Sequence, residues 1–252
     1  MTRTPELAPF RVFEACRQGL LLLGLHAGTL ARMGMIPFAV VCINALLIAQ
    51  FASPVTPLQN FIFGLPGIAA MGWMIFGSVR LWVLGEQAAA PQTDLPTRLR
   101  LLQATVIAYI LWKALMAGYE HIFITVANPE ELLKNPDAFN DRAGVQVAIM
   151  VMLGIVLWAL RFRLAPVLTA VDYSLRDYAR RARGFMISLR LLGLVLICAE
   201  FPKILLLSPL IGAGTPDLLL MLIGNAATFV LELWLFAAFV AALKEMTGGT
   251  RA

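Results

Sequence analysis

The feature that most constrains this chain is a succession of apolar runs, nearly free of charge, each long enough to cross a lipid bilayer. A helix needs about 20 residues for that crossing. Six runs qualify, near 34–52, 61–84, 102–127, 143–160, 185–207 and 217–243. Hydrocarbon offers no water to the backbone, so each run must satisfy its own N–H and C=O groups as a helix. The runs are continuous and do not alternate as barrel strands do. Composition agrees, with 60% hydrophobic residues, 14% charged residues and a mean hydropathy of +0.81. The spans use up most of the 252 residues and leave no stretch for a separate soluble domain. The expected fold is therefore all-α, a polytopic membrane protein of six transmembrane helices plus two interfacial amphipathic helices, in one domain over 1–252.

Basic residues set the expected orientation. The N-terminal segment 1–33 carries Arg3, Arg11, Arg17 and Arg32, and loop 85–101 carries Arg98 and Arg100. Loop 161–184 carries Arg161, Arg163, Arg176, Arg180, Arg181 and Arg183, and the tail carries Lys244 and Arg251. Loops 53–60 and 208–216 carry no charge, and loop 128–142 is net acidic. Lys and Arg favour the cytoplasmic side, so both termini and the basic loops are expected there, in a bacterial inner membrane. The net charge of +5 lies beside the spans. It points to anionic lipid headgroups as partners and away from nucleic acid. A cleaved signal peptide is not expected, because a second apolar run follows Arg32 at once and no A-x-A site precedes it.

Two stretches have the spacing of helices lying on a membrane surface. In 164–182, Leu164, Leu168, Val171, Leu175, Tyr178 and Ala182 recur every three or four residues. Asp172, Arg176, Asp177, Arg180 and Arg183 occupy much of the remainder. In 10–30, Phe10, Phe13, Leu20, Leu23, Ala27 and Leu30 form one stripe, with Arg11, Glu14 and Gln18 off it. Either could simply anchor the bundle. Alternatively, the basic set Arg161, Arg163, Arg176, Arg180, Arg181 and Arg183 could dock anionic lipid or a membrane or cytoplasmic protein.

Ionisable residues at membrane depth are costly and are expected to face the bundle interior. From a rise of about 1.5 Å per residue, Lys113 and Glu232 both lie about 16 Å from the cytoplasmic ends. Glu200 lies about 22 Å in, and Glu120, His121, Lys203 and Asn225 about 27 Å in. Arg80 and Arg190 lie shallow enough to snorkel. The economical arrangement packs spans three, five and six together, with Lys113 meeting Glu232. Glu120 would then meet Lys203 or Asn225, and Glu200 could pair locally with Lys203. Such charges either fix helix register or line a polar site for a small solute, a proton or a lipid headgroup. His121 alone reads as a residue near the outer surface.

No GxSxG, HExxH, Walker or Cys/His ligand pattern is present, so no enzyme activity, cofactor or metal is expected. Cys16, Cys42 and Cys198 form no CxxC pair and read as small buried apolar residues.

The stretch Arg163-Leu164-Ala165-Pro166, Asp172 to Arg183, Gly184-Phe185 and its following span, with Phe10 to Pro37 and the close Phe239 to Gly248, resembles a loose group of six-span bacterial inner-membrane proteins. That group includes the membrane domain joined to glycerophosphodiester phosphodiesterases. The resemblance implies a six-helix membrane module, and it carries over no phosphodiesterase activity and no site residue. The permease half of an ATP-driven transporter also places a helix where 164–184 lies, but the Glu-Ala-Ala…Gly pattern of one such family is absent. The leading expectation is a non-enzymatic module acting by binding, as a subunit or scaffold of a membrane complex or a lipid-linked organiser. The alternative is a small transporter or permease subunit using the intramembrane Lys/Glu cluster.

Overall fold

The computed structural model of the protein describes residues 7–51, 56–85, 95–127, 143–182, 184–211 and 218–248. Its elements are α1 (Val12–Leu25), α2 (Ala27–Phe51), α3 (Pro57–Leu84), α4 (Leu95–Ala127), α5 (Ala143–Ala159) and α6 (Ala165–Ala170). They continue with α7 (Leu175–Arg181), α8 (Phe185–Val195), α9 (Phe201–Ile211) and α10 (Leu218–Met246). A 3₁₀ turn, Leu160–Leu164, joins α5 to α6, and a π turn, Leu196–Glu200, joins α8 to α9. Six of these helical stretches are long and apolar enough to span a membrane. The protein is an all-α, multi-pass membrane protein. The acidic loop 128–142 falls outside the described residues, as do Arg3, Arg183 and Arg251.

The distribution of apolar side chains agrees with lipid as the surrounding solvent. Met150, Leu153, Ile155 and Trp158 on α5 and Leu205 on α9 are all more than half exposed. In water, a contiguous apolar surface of that kind would drive association. The buried core instead gathers Leu164, Val167 and Leu168 with Leu191, Leu194, Leu235, Phe236 and Phe239.

Several helix boundaries follow from local chemistry. Thr56 caps α3, its hydroxyl accepting from the Gln59 N–H at 3.3 Å. The Gln59 side chain accepts in return from the Thr56 N–H at 3.0 Å, and Pro57 starts the helix. This is a capping box with proline at the first turn, where the missing N–H costs nothing. In the fifth span, Pro202 has no N–H to give the carbonyl four residues back, and the chain widens into the π turn just before it.

A separate short helix precedes the first span and another precedes the fifth, but the structure corrects the bounds of both surface segments. Segment 10–30 is not one helix. It breaks at His26, and the first span starts at Ala27 rather than near 34. Phe10 and Leu30 of the predicted stripe are buried, but the buried face of α1 itself is Ala15, Cys16 and Gly19, while Phe13 and Leu20 are exposed. These small residues let α1 lie directly on the backbone of α10. A Cβ added at Gly19 would stand 2.6 Å from the Ala238 nitrogen. Polar contacts hold the same docking. Trp234 Nε1 donates to the Cys16 carbonyl at 2.9 Å, and Arg11 pairs with Glu245 at 3.2 Å. Arg190 donates to the Phe10 carbonyl at 2.9 Å, and the Cys16 and Cys198 sulfurs lie 3.3 Å apart. On the opposite face, the hydrogen bonds from Arg17 hold the Glu14 carboxyl down at about 2, so that face stays ionised.

Segment 164–182 is likewise divided. Its first half, α6, is the buried continuation of the fourth span, which runs past the 161–164 extension open to so short a run and reaches Ala170. The helix stops at Asp172, whose φ is 58°. The Tyr173 N–H reaches the Leu168 carbonyl at 2.8 Å and the Asp172 N–H reaches Thr169 at 3.3 Å, a Schellman ending. Asp tolerates the left-handed region better than most residues, which is why the turn forms here without glycine. Only the short α7 remains as a surface helix.

Arg161 explains how charge is tolerated so far along this span. Its guanidinium donates to Ser188 Oγ at 2.9 Å, to the Ala182 carbonyl at 3.3 Å and to the Gly184 carbonyl at 3.1 Å. One fork thus ties the fourth span to the start of the fifth. Arg161→Met is expected to lower stability by about 2 kcal/mol, since three acceptors lose a charged donor. Arg161→Lys should recover only part, because an ammonium cannot match the planar fork. Thermal unfolding in detergent measures both.

Candidate functional site

The intramembrane polar residues converge as their depths implied, but on a cavity rather than a packed seam. The cavity has a volume of about 580 Å³, and its wall includes Lys113, Glu120, Glu200, Lys203, Asn225 and Glu232. Of the predicted polar set only His121 is left out. It is exposed and turned away from the cavity. Helices α2 and α3 close the other side, with Asn44 and Asn60 among their contributions.

At the inner end, Lys113 Nζ donates to Glu232 Oε1 at 2.7 Å. The pairing expected from matched depth is therefore made. The helices bearing it are not neighbours in the way expected. α4 lies mainly against α3 and α6, whereas α10 lies mainly against α1, α3 and the π turn. Long side chains bridge the gap, and Tyr109 and Phe236 meet edge to face beside the pair, with ring centres 5.9 Å apart. Glu232 Oε2 is buried with no hydrogen-bond partner.

Arg163 is a cavity-lining residue that the sequence analysis places in the cytoplasmic docking set. The 3₁₀ turn instead carries it inward, where it is only 8% exposed and lines the cavity. Its guanidinium sits over the Trp112 ring at 5.5 Å, and its Nε has no hydrogen-bond partner. The sequence did hold a signal. Apolar residues continue through Leu164, Val167 and Leu168, so the span had not ended at Arg163. The rest of the docking set disperses. Arg161 is engaged as described, Arg181 donates to the Tyr173 hydroxyl at 3.3 Å, and Arg176 and Arg180 are exposed.

The outer end is more open, with Glu120 and Lys203 both exposed. Among the described residues, neither the Glu120 pairing with Lys203 or Asn225 nor the local Glu200–Lys203 pair is made. Asn225 instead donates to the Met221 carbonyl at 2.9 Å. The π turn adds a residue to the helical repeat at Glu200, which shifts the faces on either side of it. Three cations and three carboxylates thus line one space, and most of them are free to meet a ligand.

Among the described residues no cluster of His, Cys, Asp and Glu could hold a metal ion. No known protein family matches the chain, and no curated protein or solved structure matches it either.

Proposed function

We propose that this protein binds a small polar or zwitterionic solute in the cavity and moves it across a bacterial inner membrane, with both termini cytoplasmic. The supporting observation is the buried inner end. Glu232 and Arg163 both line the cavity, and each carries a buried polar atom, Oε2 and Nε, with no hydrogen-bond partner, an arrangement that is costly unless polar groups nearby offset it. Equal numbers of cations and carboxylates favour a solute that carries both signs or neither over a simple ion. The scaffold reading draws on a basic face over 161–184; Arg163 lines the cavity and Arg161 is tied to Ser188 and the turn before it, which leaves Arg176 and Arg180 as its exposed cations among the described residues.

Native mass spectrometry of the protein, extracted gently from its own membrane, tests this. The expected result is one small molecule held per chain, lost in Glu232→Gln, a variant that keeps the side chain's size and stays folded although less stable than the parent. A parent that retains no small molecule, or a Glu232→Gln variant that holds it as firmly, overturns the reading. A stoichiometric protein partner with an empty cavity would also overturn it, in favour of a complex subunit.

A further inference from the structure

A second recess lies on the flank of the bundle between α2, α3 and α4, with a volume of about 560 Å³. It shares no lining residue with the first cavity. Its polar chemistry is of one sign. Arg32, Arg80 and Arg98 line it, and no carboxylate does among the described residues. Arg80 is only 8% exposed. One of its terminal nitrogens donates to the Ala170 carbonyl at 3.4 Å, while its Nε is buried with no hydrogen-bond partner. Arg32 and Arg98 are exposed at its rim and Arg80 is buried in its wall, so the three guanidinium groups together favour an anion in the recess.

The remaining wall is apolar and open to the outside of the bundle. Ile36 is 63% exposed, Trp73 49% and Leu99 48%. Arg80 lies about 6 Å from the end of α3, the depth of a headgroup phosphate, and Trp73 lies about 16 Å from it, at the depth of acyl chain. Charge and greasy surface are therefore stacked in the order a phospholipid presents them. Basic recesses between membrane helices on the cytoplasmic side suit anionic headgroups.

We infer that this recess is a binding site for one anionic phospholipid, its phosphate held by Arg32, Arg80 and Arg98 and its acyl chain laid along Ile36, Trp73 and Leu99. The test uses the full chain, delipidated and reconstituted into vesicles of equal parts phosphatidylglycerol and phosphatidylcholine, then weighed by native mass spectrometry. The protein is expected to retain phosphatidylglycerol over phosphatidylcholine by roughly tenfold or more. The double variant Arg32→Gln/Arg98→Gln, which changes only exposed side chains, is expected to fold and to retain the two lipids equally. Equal retention by the unaltered protein overturns the inference, as does a preference that survives in the double variant. Displacement of the lipid by inorganic phosphate alone would mark a bare anion site and overturn the lipid assignment. The Glu232→Gln variant should keep the lipid preference, which separates this site from the solute cavity.

Discussion

Glu232→Ala is expected to destabilise the protein by about 3 kcal/mol, more than any other single side-chain truncation in the cavity. The carboxylate side chain is 14% exposed, and the Lys113 ammonium sits 2.7 Å from it. Removing the carboxylate leaves Lys113 and Arg163 facing the same space without an anion, a cost far larger than the net worth of the pair. Lys113→Ala should be milder, since Arg163 lines the same wall and can serve the orphaned carboxylate. The double variant Lys113→Ala/Glu232→Ala should lose much less than the sum of the two, with a coupling of about 2 kcal/mol. Unfolding curves of the four proteins in one detergent give the cycle. Additive losses would mean that the two charges do not act as a pair.

Gly19→Leu should be almost as damaging, by a different route. Even a bare Cβ at Gly19 would meet the Ala238 backbone at 2.6 and 2.9 Å, and backbone inside a packed helix has nowhere to move. Overpacking of this kind costs about 1–3 kcal/mol, and the leucine adds three more carbons. α1 should lift from α10, breaking the Trp234–Cys16 contact and opening Cys16 and Cys198 to a maleimide. Gly24→Ala on the same helix is the control. Nothing lies within 4 Å of its added Cβ, so it should stabilise slightly, by up to about 1 kcal/mol of helix propensity. A Gly19→Leu protein with parental stability and unreactive cysteines would contradict the docking of α1 described here.

What the sequence made legible was whatever depends on sustained hydropathy. The six spans emerged because each is a long run on one scale. Lys113 and Glu232 emerged because isolated charges stand out against such a run and a fixed helical rise turns position into depth. Arg163 did not emerge, since its charge read as the end of the run, and only the apolar residues that continue past it, Leu164, Val167 and Leu168, mark it as lying inside the span. The stop at Asp172 was equally silent, because the residue in the left-handed position is not the usual glycine. The docking face of α1 was hidden for another reason. Ala15, Cys16 and Gly19 are chosen for smallness, which hydrophobic periodicity does not register.

The packing of α1 against α10 also bears on how the molecule is made. Trp234 and Cys16, which hydrogen-bond in the finished protein, are 218 residues apart in the chain. During insertion, α1 leaves the ribosome with its small-residue face uncovered and waits while the intervening spans are threaded into the bilayer. α8 offers it a first partner through Arg190, and α10 completes the enclosure only at the end. Biogenesis thus has a late ring-closing step. A chain arrested before α10 would have its spans in place and its first helix still searching, the form that membrane quality control is best placed to detect.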